Sequence, residues 1–140
     1  MPSLSSPRFA AWLLQALPTA FLAILFLQSG IDKVIDFRGN QGYLTQHFGS
    51  SPLRGVITPL LLTLTIIEVS AGVLCGVGLV ELVVLGLPRI AFWGISVAAL
   101  AFLALFFGQR IAKDYTGAAV LPAYFLVALV GLYMTGRWFR

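Results

Sequence analysis

The stretch that decides the fold is Thr65-Ile-Ile-Glu-Val-Ser-Ala-Gly72, which places a single carboxylate, Glu68, in the middle of an apolar run. From Val56 to Val80 no other residue is charged, and Glu68 has twelve residues on either side. A soluble helix would present the carboxylate on a polar face, and this run has no polar face. About 20 apolar residues suffice to cross the hydrocarbon core of a bilayer. The sequence therefore predicts a transmembrane helix with a buried acid, which needs a partner, a proton or a function.

The composition of the whole chain points to the same environment. Its 140 residues are 59% hydrophobic and 10% charged, whereas a soluble domain carries roughly a quarter charged residues. The net charge is +4, but the Lys and Arg residues are scattered at the ends of apolar runs. That distribution suits lipid headgroups and excludes a nucleic-acid partner. We expect one domain, residues 1–140, embedded in a lipid bilayer.

Four apolar runs are long enough to cross that bilayer. The predicted spans cover about residues 9–34, 56–80, 90–109 and 115–136. The first apolar run is too long for a signal peptide and has no cleavage site, so we expect a retained span whose helix stops near Arg38. A tight connection that includes Glu81 and Arg89 separates the second and third spans.

Between the first two spans, residues 38–55 form the longest segment that is not apolar. Tyr43, Leu44, His47 and Phe48 are spaced as a narrow helical face, which is typical of a helix lying on a membrane surface. The predicted fold class is therefore all-α: a bundle of four transmembrane helices with a short amphipathic surface helix between helices 1 and 2.

Polar side chains gather at the end of the first span. Gln28, Asp32 and Asp36 are spaced by four residues and share one helical stripe, and Ser29 and Lys33 form the neighbouring stripe. In a four-span topology, Lys113 and Asp114 at the third junction face the same side of the membrane. The alternative for Asp36, Lys113 and Asp114 is that they are ordinary helix-end charges in headgroup water, each without a function.

The buried acid shares its face with small residues. Glu68, Gly72 and Gly76 follow one another at intervals of four, and such glycines let a second helix come close. We expect Gly72 and Gly76 to pack within the bundle. Glu68 either binds a ligand headgroup or relays a proton, or it forms a structural clamp with Lys33 or with a backbone or hydroxyl partner on a neighbouring helix. Since Lys33 lies near the end of its span and Glu68 near the middle of its own, a direct bond, a water and a ligand between them all stay open.

Two single residues complete the inventory of reactive side chains. His47 has no other metal-ligating residue near it in sequence, so we predict a plain surface histidine and no metal site. Cys75 is the one cysteine, which excludes an internal disulfide or a dithiol pair, and we predict a small core residue. No motif for an intrinsic cofactor is present in the sequence.

Two segments together resemble a known family. The end of the first span, Ser29-Gly-Ile-Asp-Lys33, and the Glu-x-x-x-Gly-x-x-x-Gly face that begins at Glu68 are similar to the DoxX/DoxD family of small four-helix integral membrane proteins. The likeness runs from about residue 21 to residue 133. It implies a four-helix membrane bundle. Members of the family include subunits of a thiosulfate:quinone oxidoreductase and proteins linked to other membrane redox complexes or to membrane-protein assembly. The related MauE group acts in disulfide formation, a role that a single cysteine argues against.

The leading functional hypothesis is a DoxX-like accessory or structural subunit of a larger membrane complex, redox complexes included, without catalytic activity of its own. The alternative is a quinone-reactive oxidoreductase subunit that holds the quinone headgroup at Glu68, Lys33, Asp32 and Gln28. A third alternative is a small transporter. The expected partners are other membrane-protein subunits.

The expected location is the bacterial inner (cytoplasmic) membrane with both termini cytoplasmic. Four cationic residues lie on the side of the termini and five on the opposite side. If Lys33 and Lys113 belong to a buried cluster they do not count, and the balance then favours cytoplasmic termini.

Overall fold

The computed structural model describes residue 4 and residues 6–140, and in that part the chain is helical without strands. Six α-helices follow one another: α1 (Pro7–Ile35), α2 (Phe37–His47), α3 (Ile57–Val84), α4 (Arg89–Ile111), α5 (Tyr115–Ala118) and α6 (Leu121–Gly136). Short 3₁₀ turns at Arg54–Val56 and Arg137–Phe139 precede α3 and follow α6. The all-α prediction, with a short helix between the first two spans, is confirmed.

Four segments are long and apolar enough to cross a membrane: α1, α3, α4 and the segment Tyr115–Phe139, which contains α5 and α6. The chain is therefore a multi-pass integral membrane protein. With 29 and 28 residues, α1 and α3 are about 43 Å long, which exceeds the roughly 30 Å of the hydrocarbon core. Either the ends of these helices extend into the headgroup region or the helices tilt within the bilayer.

Two helix ends differ from the prediction. The first helix ends at Ile35 and does not continue to Arg38, because Asp36 leaves the helix and caps the next one. The N–H of Gly39 donates to the Asp36 carboxylate at 3.2 Å, which satisfies a free amide at the start of α2. The second spanning helix continues past residue 80 to Val84, so Glu81 belongs to α3 and not to the connection. The connection itself turns at Gly86, whose positive φ of 71° suits a residue without a Cβ.

The bundle core lies between α1, α3, α4 and α6. Fully buried side chains such as Leu22, Phe26, Ile95 and Cys75 fill it, and the rings of Phe26 and Phe102 lie 5.0 Å apart. Cys75 is thus the small core residue that the sequence predicts. Lipid tails are as apolar as leucine, so this core is held by close packing and polar contacts more than by exclusion of water.

Two polar side chains of α1 connect it to its neighbours far from the buried acid. Trp12 Nε1 donates to the carbonyl of Leu82 on α3 at 2.9 Å, and Gln15 Nε2 donates to the carbonyl of Met134 on α6 at 2.9 Å. Such hydrogen bonds across helices are worth roughly 0.6–2 kcal/mol each in a membrane. They fix the N-terminal half of α1 against the bundle.

Glycines set the distances between the helices. A Cβ atom added to Gly72 of α3 would lie 2.8 Å from the backbone nitrogen of Leu27, so α1 and α3 touch backbone to backbone. Between α3 and α4, a Cβ on Gly94 would lie 2.7 Å from the nitrogen of Cys75. Gly76, in contrast, has room: its added Cβ would meet Leu27 Cδ1 at an ordinary 3.7 Å. Only the first glycine of the Gly72-x-x-x-Gly76 pattern is therefore a close-contact site.

This difference yields a matched test. We expect Gly72→Ala to destabilise the bundle by about 1–3 kcal/mol, because the new methyl group meets backbone atoms that cannot turn aside. Gly76→Ala, one turn along the same face, should leave stability within about 0.5 kcal/mol of the parent chain. Reversible unfolding in mixed detergent micelles measures both, and equal effects of the two substitutions would contradict the packing described here.

Candidate functional site

The buried acid meets a cation directly. Lys33 Nζ of α1 lies 2.9 Å from Glu68 Oε2 of α3, and the two side chains are 15% and 4% exposed. Of the three arrangements that the sequence leaves open, the structure has the direct bond. A carboxylate this deeply buried is stable when a cation and hydrogen-bond donors compensate its charge.

Ser29 joins this pair into a three-membered network. Its hydroxyl donates to Glu68 Oε2 at 2.9 Å and accepts from Lys33 Nζ at 2.8 Å. Ser29 and Lys33 are four residues apart, so both point from the same face of α1. A Cβ on Gly30 would lie 2.9 Å from Val69 Cγ2, which shows how closely the helices approach at this level. We call Ser29, Lys33 and Glu68 the α1–α3 clamp.

The clamp forms because the two helices are offset along their axes. Gly30 lies against Val69 and Leu27 against Gly72, so the antiparallel helices place the end of α1, Ile35, near Leu64. Helix α3 therefore extends about 10 Å beyond the end of α1. Lys33 is close to the end of its own helix and still level with the middle of α3. The direct bond is thus one of the arrangements that the sequence leaves open, and the offset of the two helices is what makes it possible.

Of the four residues predicted to hold a quinone headgroup, Gln28 and Asp32 are not part of the clamp. Gln28 and Asp32 are exposed, on a face of α1 that turns away from Glu68. Asp32 accepts a hydrogen bond from Asn40 Nδ2 of α2 at 3.3 Å. The four residues thus split into a buried pair and two outward-facing side chains.

Three further charged residues of the sequence prediction lie at turns of the chain: Asp36, Lys113 and Asp114. Asp36 caps α2, as described above. Lys113 is exposed and has a φ of 60°, the left-handed conformation that reverses the chain after α4. Asp114 caps α5 by accepting from the N–H of Gly117 at 3.2 Å. The structure does not bring Asp36, Lys113 or Asp114 into the clamp.

Sequence reasoning missed a contact between His47 and Asp114. His47 Nε2 of α2 lies 3.1 Å from Asp114 Oδ2, and the side chains are 39% and 20% exposed. His47 is therefore more than a plain surface histidine: it joins α2 to the turn between α4 and α5. The hydrogen bond from His47 holds the pKa of the Asp114 carboxyl below its ordinary value, and the Gly117 N–H acts in the same direction. The partners are 67 positions apart, so nothing local in the sequence signals the pair.

A second missed pair lies at the opposite end of the bundle. Arg89 donates from Nη2 and Nε to Glu81 Oε2 at 2.8 and 3.2 Å, and the N–H of Ile90 donates to Glu81 Oε1 at 3.1 Å. Glu81 is buried; its Oε1 accepts a free backbone N–H at the start of α4, and its Oε2 binds the Arg89 side chain there. Opposite charges eight residues apart across a Gly-Pro connection are a signal that could have predicted this pair.

Among the described residues, no three His, Cys, Asp or Glu side chains converge closely enough to hold a metal ion. Comparisons with protein families, with curated proteins and with solved structures return no match to this chain. The resemblance to the DoxX/DoxD family therefore stays a prediction.

Because Glu68 is more deeply buried than Lys33, we expect the two partners of the clamp to differ in the stability lost when each is replaced. Lys33→Met leaves the Glu68 charge buried without its cation, and we expect a loss of about 3–5 kcal/mol. Glu68→Gln should cost less, because Gln still accepts from Ser29 and the less buried Lys33 can extend toward the headgroups. The double variant should recover part of the loss. Unfolding of all three in mixed micelles completes a double-mutant cycle, and equal single losses that add in the double variant would contradict the clamp.

The contact between His47 and Asp114 makes a prediction about acid stability. Because the folded-state pKa of Asp114 is depressed, its contribution is present above the ordinary value near 3.9 and is lost as the pH falls through the lowered value. We expect His47→Phe, which keeps the aromatic contact with Tyr43, to reduce the stability that is lost in acid, because the folded-state pKa of Asp114 then lies closer to its unfolded value. Melting curves between about pH 5 and pH 2 measure this flatter pH dependence. In an Asp114→Asn background the same substitution should leave the pH dependence unchanged; a change that persists there would assign it to another group.

Proposed function

We propose that the chain is a non-catalytic subunit of a larger membrane complex and that it contacts a partner through the outer face of α1. The observation that carries this proposal is the position of Gln28. Its amide is exposed on a spanning helix, next to Ser29, whose side chain faces the bundle. In the part of the chain that the structure describes, Gln28 has no side-chain hydrogen-bond partner.

An amide in that position is costly in lipid. Gln28 lies seven residues before the end of α1, about 10 Å along the helix. Its apolar neighbours on the outer face are Ile24, 68% exposed, and Ile31, 52% exposed, and the exposed Asp32 lies one turn nearer the helix end. A polar side chain that faces hydrocarbon gains free energy when a second transmembrane helix supplies its hydrogen bonds. A partner helix against α1 would satisfy Gln28 and cover the adjoining isoleucines.

The α1–α3 clamp supports a structural role for the buried acid. Both donors near Glu68 Oε2 come from α1, so the deepest charge of the chain is used in helix packing. The quinone-reactive alternative would require a ligand headgroup to take the place of Ser29 or Lys33 beside Glu68. That alternative and the transporter remain predictions from the sequence.

The membrane orientation also remains a prediction. Lys33 belongs to the clamp, but Lys113 is exposed and has to be counted. Each side of the membrane then carries four cationic residues outside the clamp, and the positive-inside rule favours neither orientation. The bacterial inner membrane and the cytoplasmic termini stay expectations, which reporter fusions to both ends would test.

Site-specific photocrosslinking in native membranes tests the proposed subunit role. A photoreactive residue at position 28 should give a discrete adduct with a second polypeptide. The control is position 100 on α4, where Leu100 is 63% exposed. Gly72 of α3 packs on Leu27 of α1, and Gly94 of α4 packs on Cys75 of α3. This register places Leu100 within about one helical turn of the membrane depth of Gln28. It should give lipid adducts only.

Gln28→Leu provides the matching loss-of-function variant. It should release the partner during mild solubilisation while the melting temperature of the isolated chain stays nearly unchanged, because the exposed side chain makes no hydrogen bond to the described residues. Lipid adducts alone at position 28, together with a chain that purifies without a stoichiometric partner, would refute the subunit role.

A further inference from the structure

Two arginines extend the exposed side of α6 beyond the end of the helix. Arg137 and Arg140 are both exposed and belong to the 3₁₀ turn and the residue after it. They continue the spacing of Leu126, Val130 and Tyr133, which are 62%, 48% and 64% exposed. Because the five residues are three or four positions apart, they form one stripe on the outside of the bundle. We call these five residues the α6 stripe, which is apolar along the helix and cationic at its end.

The side chain of Arg140 reaches back along this stripe. Its Nη2 donates to the carbonyl of Tyr133 at 2.8 Å, and its Cζ lies 4.8 Å from the centre of the Tyr133 ring. Tyr133 lies three residues before the end of α6, so the charge is held about one helical turn inside that end. A guanidinium has five N–H donors, and this contact uses one of them. The contact fixes the position of the charge and leaves donors for an acceptor outside the chain.

No acidic side chain of the described residues forms an ion pair with Arg137 or Arg140. The acid at this end of the bundle is Glu81, and its two oxygens already bind Arg89 and the N–H of Ile90. The other acids belong to the α1–α3 clamp or lie at the opposite end of the bundle. An anion that compensates the charge of the α6 stripe therefore comes from outside the chain.

We propose that the α6 stripe binds one anionic phospholipid, with an acyl chain along Leu126 and Val130 and the phosphate at Arg137 and Arg140. The planar guanidinium matches the oxygens of a phosphate, and a tyrosine is suited to the level of the headgroups. From Leu126 to Tyr133 the stripe is about 10 Å long, which lies within the roughly 15 Å hydrocarbon depth of one leaflet. The apolar and cationic parts thus match the two parts of a single lipid molecule.

The opposite end of the bundle carries the same arginine–tyrosine contact in a different electrostatic setting. The Cζ atom of Arg110 lies 4.5 Å from the centre of the Tyr115 ring. Asp114 is next to Tyr115 in the chain, and Asp32 and Asp36 lie at the same end of the bundle. These carboxylates repel an anionic headgroup, so we expect the lipid at the α6 stripe and not at Arg110. The proposal does not rest on the subunit role, because the lipid binds the isolated chain.

Native mass spectrometry of the full chain in detergent tests the proposal with two defined probes. The chain is titrated with phosphatidylglycerol and with phosphatidylcholine that has the same acyl chains. An arginine near an anionic headgroup strengthens binding about fivefold, so two arginines predict a preference of about 25-fold for one phosphatidylglycerol. Arg137→Gln and Arg140→Gln should each lower this preference about fivefold, and the double variant should bind the two lipids equally.

The double variant Arg38→Gln/Arg110→Gln is the matched control, since it removes the same charge from the opposite end. It should keep the preference of the parent chain. All four arginines are exposed, so we expect every variant to fold. Equal binding of the two lipids by the parent chain would overturn the proposal and assign the arginines to an acidic partner chain. Equal losses in the two double variants would also overturn it, and so would competition by soluble glycerol phosphate, which has no acyl chain.

Discussion

The backbone contact between α1 and α3 is the constraint on which the rest of the structure depends. At Gly72 there is no room even for a methyl group, and this approach lets a side chain as short as serine reach across to Glu68. In lipid, burying a leucine between helices gives no hydrophobic free energy, because the lipid tails are equally apolar. Helix association therefore relies on close backbone packing and on polar groups that form hydrogen bonds between helices. The glycine and the acid on one face of α3 therefore act together: one brings the helices close, and the other fixes their register.

Helix α3 is the central element of the bundle. It packs on α1 through Gly72 and on α4 through Gly78 and Gly94, and it supplies both buried carboxylates. Each carboxylate is compensated by a different neighbour, Glu68 by α1 and Glu81 by the start of α4. Glu68 is thus one of two buried acids in α3. The sequence does not single out Glu81 as buried, because it lies close to the turn that follows α3.

Much of the fold can be predicted from the sequence, because the length of an apolar run is enough to identify a membrane-spanning helix. The four spans, the short helix after the first span and the core position of Cys75 follow from runs and spacing. The register of α1 against α3 does not, since it depends on which glycine touches which backbone. The same holds for His47 and Asp114, and for Gln28, which shares a stripe with acids in the sequence but faces outward in the fold. Proximity in sequence indicates candidate residues, and only the packing of the helices determines which of them are in contact.

The local pair between Glu81 and Arg89 has a consequence for the biogenesis of the protein. Its partners are eight residues apart, so the α3–α4 hairpin can neutralise this acid as soon as its turn has emerged from the ribosome. Lys33, in contrast, binds a carboxylate that lies in a helix synthesised later. Until α3 arrives, its ammonium group can stay among the headgroups near the end of α1, where Asp32 and Asp36 lie close to it in sequence. The order of synthesis places the cation at the surface first and the deep acid second, so that Glu68 meets a waiting partner when it enters hydrocarbon.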